Sequence, residues 1–162
     1  MFRRLIGSSA EGNFEELSRL IDAGADVDWR DPEGGFTALM TAALFGQLAT
    51  LDLLLQSGAN VNIQDHSGMV ALDYAVNESH YIIVERLLLE PDLDRSSKDH
   101  QGHSILVNAV IAGDSEVVRI LLLSGFDPNA PCLRILNPLL YAIRKGNFSV
   151  AKLLIEFGAK SN

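Results

Sequence analysis

Glycine, or a residue standing in its place, recurs through this chain with a fixed period. Gly12, Gly46, Ser79, Gly113 and Gly146 follow one another at intervals of 34, 33, 34 and 33 residues, and Gly24, Gly58, Pro91, Gly125 and Gly158 repeat the same four intervals. Such a period constrains the fold more than any other property. A unit this short cannot bury an apolar face alone and must stack on copies of itself.

Between the two series lies a recurring apolar run: Leu51-Asp52-Leu53-Leu54-Leu55, Val84 to Leu89, Val117 to Leu123, and Val150 to Ile155. Each reads as a helix of about two to three turns. Three consecutive apolar residues cover about 200° of a helix, because each residue advances the chain by about 100°. The expectation is that these helices are sandwiched rather than laid on a surface. The helix before each is shorter and carries a small residue at a constant place, Ala42, Ala75, Ala109 and Ala142, where two helices can approach closely. Glycine at 24, 58, 125 and 158 ends the second helix in a left-handed turn. Ala25-Asp26-Val27-Asp28 and Ala59-Asn60-Val61-Asn62 then read as extended stretches. Asp65-His66-Ser67-Gly68 and Asp99-His100-Gln101-Gly102 read as tight turns into the next helix.

Asp65-His66-Ser67-Gly68, Thr37-Ala38-Leu39-Met40-Thr41-Ala42-Ala43, Gly113-Asp114-Ser115-Glu116-Val117-Val118 and the run from Leu53 to Asn62 resemble the ankyrin repeat. The resemblance covers nearly the whole chain as one domain of five units, at about residues 2–30, 31–64, 65–98, 99–131 and 132–162. It implies an all-α solenoid of helix-turn-helix units with β-hairpin-like fingers, in an elongated, slightly curved stack.

The units are not identical. Arg3 and Arg4 are expected at an exposed N-terminal edge. The second finger, Asp31-Pro32-Glu33-Gly34-Gly35, is one residue longer than Asp65-His66-Ser67-Gly68 and should differ at its tip. The third unit has Ser79 and Pro91 for its two glycines and an irregular connector from Glu90 to Lys98, where local softness is expected. The fifth finger, Cys132-Leu133-Arg134-Ile135-Leu136-Asn137-Pro138, is apolar, which fits either inward packing or recognition. Leu154, Ile155 and Phe157 look like interior residues at the last helix, as in a piece of a longer array.

With 48% of 162 residues hydrophobic, the chain can bury a substantial interior, and it holds no apolar run long enough to span a bilayer. An intracellular protein of the cytoplasm or nucleus is expected. The single cysteine, Cys132, fits a reducing compartment. Thirteen basic against twenty-one acidic side chains give a formal charge of −8, which disfavours nucleic acid as a partner.

Catalytic residues, cofactor and metal are all expected to be absent. His66 and His100 stand one repeat apart, and helices packed about 8–10 Å apart cannot bring both within the roughly 2 Å that zinc ligation requires. All four histidines read as solvent-exposed loop residues. Asp65-His66-Ser67 and Ser97 with Asp99 and His100 are neighbours on solvated turns that do not converge on one reacting atom. Gly7 to Gly12 lacks the lysine of a phosphate loop. Asn77-Glu78-Ser79 and Asn147-Phe148-Ser149 match the glycosylation pattern but fall at helix turns.

The resemblance points instead to the concave face, where partners of ankyrin stacks meet the finger tips and the last positions of the first helices. The matching helix positions are Leu44 and Phe45, Asn77 and Glu78, Ile111 (with Ala112), and Arg144 and Lys145. Those following the finger glycines are Phe36, Met69 and His103, with Leu136 in the last unit, and Glu33, His66, His100 and Arg134 stand at the finger tips. Phe36, Leu44, Phe45 and Met69 are expected to group together; inward packing of Leu44 and Phe45 is the alternative. Trp29 either packs between fingers or reads a ligand. The expected function is a non-catalytic scaffold or adaptor that is monomeric alone and holds a protein or peptide. A regulatory inhibitor of a kinase, or the substrate-targeting part of a larger enzyme or ubiquitin ligase, is the alternative. The complete helix from Thr37 to Phe45 departs from the shortened one that the resemblance implies for kinase inhibitors. The resemblance also makes Asn62 a candidate for hydroxylation.

Overall fold

The computed structural model describes residues 2–130 and 137–160, in which the chain forms ten α-helices and no strand. Residues 1–93 form one unit and residues 94–162 a second, the boundary falling inside the irregular connector after Pro91. The first unit holds α1 (Phe2–Glu11), α2 (Phe14–Asp22), α3 (Ala38–Leu44), α4 (Leu48–Gln56), α5 (Ala71–Asn77) and α6 (Tyr81–Leu88). The second holds α7 (Ile105–Ala112), α8 (Ser115–Leu123), α9 (Pro138–Arg144) and α10 (Phe148–Glu156). The five helix pairs match the five periods read from the glycines, and the whole is an all-α repeat solenoid. The hairpin character of the fingers comes from turn hydrogen bonds, with one isolated bridge between Lys98 and Ser104.

In the first unit α3 packs between α1 and α5, and α4 lies against α2; in the second, α7 packs on α9 and α8 on α10. Ala42, Ala75, Ala109 and Ala142 are wholly buried, as a close helix approach requires. Leu51 and Leu54 of α4, Leu87 of α6 and Leu121 of α8 are equally sealed, each contributing about 1.5–3 kcal/mol by leaving water.

The apolar triplets are not sandwiched on all sides. Leu89, Leu123 and Ile155 are 75%, 69% and 59% exposed. The second helices are buried on the side facing their own first helices, and the last residue of the triplet faces outward at α6, α8 and α10, while Leu55 of α4 is half-buried. Phe157 is only half-buried.

The first helices α3, α5, α7 and α9 are each started by their own sequence. Thr37 Oγ1 accepts from Met40 N at 3.2 Å, Ser104 Oγ from Val107 N at 3.4 Å and Asn137 Oδ1 from Leu140 N at 2.9 Å. Val70 has no such oxygen, and Asp73 supplies the bond in reverse, its Oδ2 accepting from Val70 N at 3.0 Å. The turn between helices is left-handed throughout. Ser79 keeps that geometry at φ +55°, the one non-glycine among the described residues to do so.

The residue after that turn ties neighbouring repeats together. Gln47 Nε2 donates to Ala10 O at 3.2 Å and His80 Nε2 to Leu44 O at 3.0 Å, while in the second unit Asn147 Nδ2 donates to Gly113 O at 2.9 Å. A side-chain donor here satisfies a carbonyl at the end of the preceding first helix, which the helix itself leaves unpaired. Arg86 adds a cross-link on the outer side, reaching Asp52 and Glu90 at 2.6 Å each. Its guanidinium is held above the ordinary arginine range, first by the hydrogen bond to Glu90.

Candidate functional site

The fingers at Asp31, Asp65 and Asp99 are each organised by the aspartate that opens them. Asp65 is buried, and its Oδ1 accepts from Ser67 N at 2.7 Å and Met69 N at 2.9 Å while its Oδ2 accepts from the Tyr74 hydroxyl. Asp99 repeats the pattern, accepting from Gln101 N and His103 N at 2.8 Å. In the longer finger, Asp31 accepts from Glu33 N at 2.9 Å, Gly34 N at 3.0 Å and Phe36 N at 2.6 Å. The extra residue shows in the backbone. Gly35 N donates to Asp31 O, five residues from end to end, where Gly68 N donates to Asp65 O across four. These donors hold the Asp31 carboxyl below the ordinary carboxylate range, Gly34 N–H first. Burial, and then the bond to Asp65, push the Tyr74 phenol well above its usual range.

The two fingers of the first unit are locked together. His66 N donates to Gly34 O at 2.8 Å, His66 Nδ1 to Glu33 O at 3.1 Å, and the Arg30 guanidinium to Gln64 O at 2.7 Å. Phe36 is thereby fixed. Its amide sits on Asp31, and its ring meets that of Tyr74 at 5.1 Å between centroids and 44° between planes. A Cβ at Gly34 would come within 2.8 Å of that ring, so only glycine lets Phe36 lie there.

Phe36 forms one wall of a cleft of about 360 Å³. Trp29, Leu44, Phe45 and Ile6 supply more of its apolar lining, Pro32 and Thr41 complete it, and Arg3, Asp31 and Glu33 bring charge to it. Phe45 is 54% exposed, whereas Leu44, Trp29 and Phe36 are half-buried. The inward-packing alternative thus fits Leu44 in part and does not fit Phe45. Arg3 and Glu33 approach to 3.9 Å with both side chains almost fully in solvent, a pair worth little in itself. A contiguous apolar depression with an aromatic rim is the kind of surface on which binding energy concentrates.

The other expected residues fall elsewhere. Met69 lies outside the lining of the cleft and is half-buried, its amide on Asp65. Asn77, Glu78, His66 and His100 are exposed. Ile111 is half-buried, and Arg144 and Lys145 are exposed at the end of α9. Arg134 and Leu136, with the rest of the apolar fifth finger through Leu136, lie outside the described residues. Asn62 Nδ2 donates to Asp92 O at 2.7 Å, so the side chain is already held by the backbone of the following connector.

Two histidines correct the expectation of solvent-exposed loops. His80 is half-buried against Leu44 O; His103, its side chain 13% exposed, lies with Nε2 3.0 Å from the Tyr141 hydroxyl and Nδ1 3.5 Å from Asp99. Both sit on repeat positions that face a neighbouring repeat, which burial follows more closely than residue type does. Among the described residues no three His, Cys, Asp or Glu side chains are gathered so as to hold a metal, and no helix is long and apolar enough to cross a membrane.

The two units differ in charge. The first carries Arg3, Arg4, Arg19, Arg30 and Arg86 against fifteen acidic residues, a net of −10; the second has eight basic against six acidic, a net of +2, which together give the chain's −8. Sequence reasoning did not reach this division, nor the roles of Ile6, Asp31, Asp65 and Tyr74. The finger aspartates at one-repeat spacing, and Tyr74, Asn108 and Tyr141 at intervals of 34 and 33, were the available signals.

Comparison with known proteins agrees with this architecture. An ankyrin repeat protein of Escherichia coli strain K12, YahD, is 25% identical over 94% of this chain and 94% of its own length. The palmitoyltransferase AKR1 of Lachancea kluyveri is 32% identical over 94% of this chain, which spans only 21% of that protein. The mouse ARF GTPase-activating protein GIT2 is 37% identical over 53% of this chain and 12% of its own length. A family model for ankyrin repeats in three copies matches residues 5–99 and again 72–162, and so the chain belongs to the ankyrin-repeat family.

Proposed function

We propose that this chain is a non-catalytic interaction module that grips a peptide or an exposed segment of a folded protein at the cleft of its first unit. Ankyrin repeats mediate protein–protein interaction, and the observation that carries the finer reading is the cleft itself. Trp29, Phe36, Leu44 and Phe45 come from the two sides of one finger and one helix end to line a single depression. Phe36 is held there by the amide bond to Asp31 that organises its finger and by the ring of Tyr74. Rigid aromatic groups lose little entropy on binding, which is why they dominate interface energetics.

The test is affinity capture by wild type and by Phe45→Asp, followed by titration of the captured partner in purified form. Affinity should fall at least about tenfold, or about 1.4 kcal/mol, with the melting temperature within about 2 °C of wild type because Phe45 is largely in solvent. Undiminished binding by the variant would place the interaction elsewhere. A second reading has its own support: the match to AKR1 covers nearly all of this chain but about a fifth of that protein, as expected of a module that presents substrates to a larger enzyme. The inhibitor reading gains nothing from α3, which at seven residues is as long as α5 and α9.

A further inference from the structure

The chemistry of the ligand follows from what flanks Phe45. The helices α1, α3 and α5 lie side by side, with their C-terminal ends aligned by the bonds from Gln47 to Ala10 O and from His80 to Leu44 O. The residues that follow Ala10, Leu44 and the equivalent Asn77 are Glu11, Phe45 and Glu78, and all three are exposed. An aromatic ring at the edge of an apolar cleft therefore stands between two carboxylates, each one repeat away. Glu33 adds a third at the mouth of the cleft, partly offset by Arg3 at 3.9 Å. Around them the first unit carries its net charge of −10. Of its other arginines, Arg4 is paired with Glu16, Arg30 is committed to Gln64 O and Arg86 to Asp52 and Glu90, while Arg19 is exposed on α2, a second helix outside the row of first-helix ends.

Resting on the reading proposed above, we infer that the cleft takes an extended basic peptide, with an apolar side chain seated against Phe45 and a lysine or arginine reaching Glu11 on one side and Glu78 on the other. Neighbouring helices stand about 8–10 Å apart, and an extended chain of the polyproline-II kind advances about 3.1 Å per residue with about three residues per turn, so that positions three apart share a face. The basic residues therefore lie about three positions from the apolar anchor in each direction. A second copy of the first unit, an acidic peptide or a nucleic acid would each meet the charge of −10 with charge of the same sign. The pairs are solvent-exposed, so each adds modestly and salt weakens it.

The test uses the purified full chain and three labelled synthetic peptides of equal length, each with a central leucine. The residues three positions to either side are both lysine, both glutamine or both glutamate. Binding is read by anisotropy, with emission of Trp29, the one tryptophan of the chain, as a readout at the cleft. The lysine peptide should bind about five-fold to tenfold more tightly than the glutamine peptide, and the glutamate peptide least. Raising NaCl to about 0.5 M should remove most of that difference. Glu11→Gln with Glu78→Gln should bring the lysine peptide down to the glutamine peptide's affinity without changing the melting temperature, while Phe45→Ser should weaken both peptides alike. Equal binding of the lysine and glutamine peptides, or indifference to the double variant, overturns the inference and leaves the cleft reading standing where Phe45→Ser still weakens both. Failure of any peptide to bind, or binding untouched by Phe45→Ser, overturns the inference and counts against the cleft as well.

Discussion

An aspartate at the head of a finger does more than favour a turn. Asp65 is buried and accepts two backbone N–H groups and a phenol, so its removal leaves three donors without their acceptor. Hydrogen bonds to a charged group are worth about 1.5–3 kcal/mol each when one partner is deleted, though these three share a site and will not add in full. Asp65→Ala should lower stability by about 3 kcal/mol in urea denaturation, whereas Ser67→Ala, on the exposed tip of the same finger, should stay within about 0.5 kcal/mol. Equal effects from the two would mean that the carboxylate is solvated and not the hub of the turn. The sequence showed these aspartates as turn residues and nothing more. Two of the donors to Asp65 are local backbone N–H groups, but the third, the Tyr74 hydroxyl nine residues on, comes within reach only in the folded chain.

At the scale of the helix pair, the turn matters more than the residue that occupies it. Four of the five turns between paired helices use glycine, and Ser79 is forced to the same left-handed backbone at φ +55°. An L-residue in that region costs about 1–2 kcal/mol, and glycine gives back about 0.5–1 kcal/mol in chain entropy. Ser79→Gly should therefore stabilise the protein by about 0.5–1 kcal/mol, a rise of a few degrees in melting temperature. A lowered melting temperature would show that the serine side chain supports the turn. The helix periods were legible because three apolar residues in a row have few other meanings. The outward face of Leu89, Leu123 and Ile155 was not, because a triplet wider than the buried stripe reads the same whether or not a neighbour covers its edge.

Across the whole molecule, charge is unevenly distributed. A net of −10 within the first unit opposes its compaction, since unfolding lets like charges separate. Raising NaCl from about 0.1 M to 1 M shortens the Debye length from about 10 Å to about 3 Å. The urea midpoint should rise over that range. A fall would mean that ion pairs such as Arg86 with Asp52 and Glu90 outweigh the repulsion. The overall charge of −8 was plain from composition, but its division is not, because it depends on where the chain parts into two units.

The sequence alone determined the period, the helix pairs, the buried alanines and the family, because each is a local pattern repeated until chance is excluded. Tertiary structure alone decided which apolar residues remained in view and which carboxylates stood beside them. Glu11, Phe45 and Glu78 are more than thirty residues apart in the chain and become neighbours only when their helices pack, because a site made across repeats depends on distance in space, which a linear pattern does not contain.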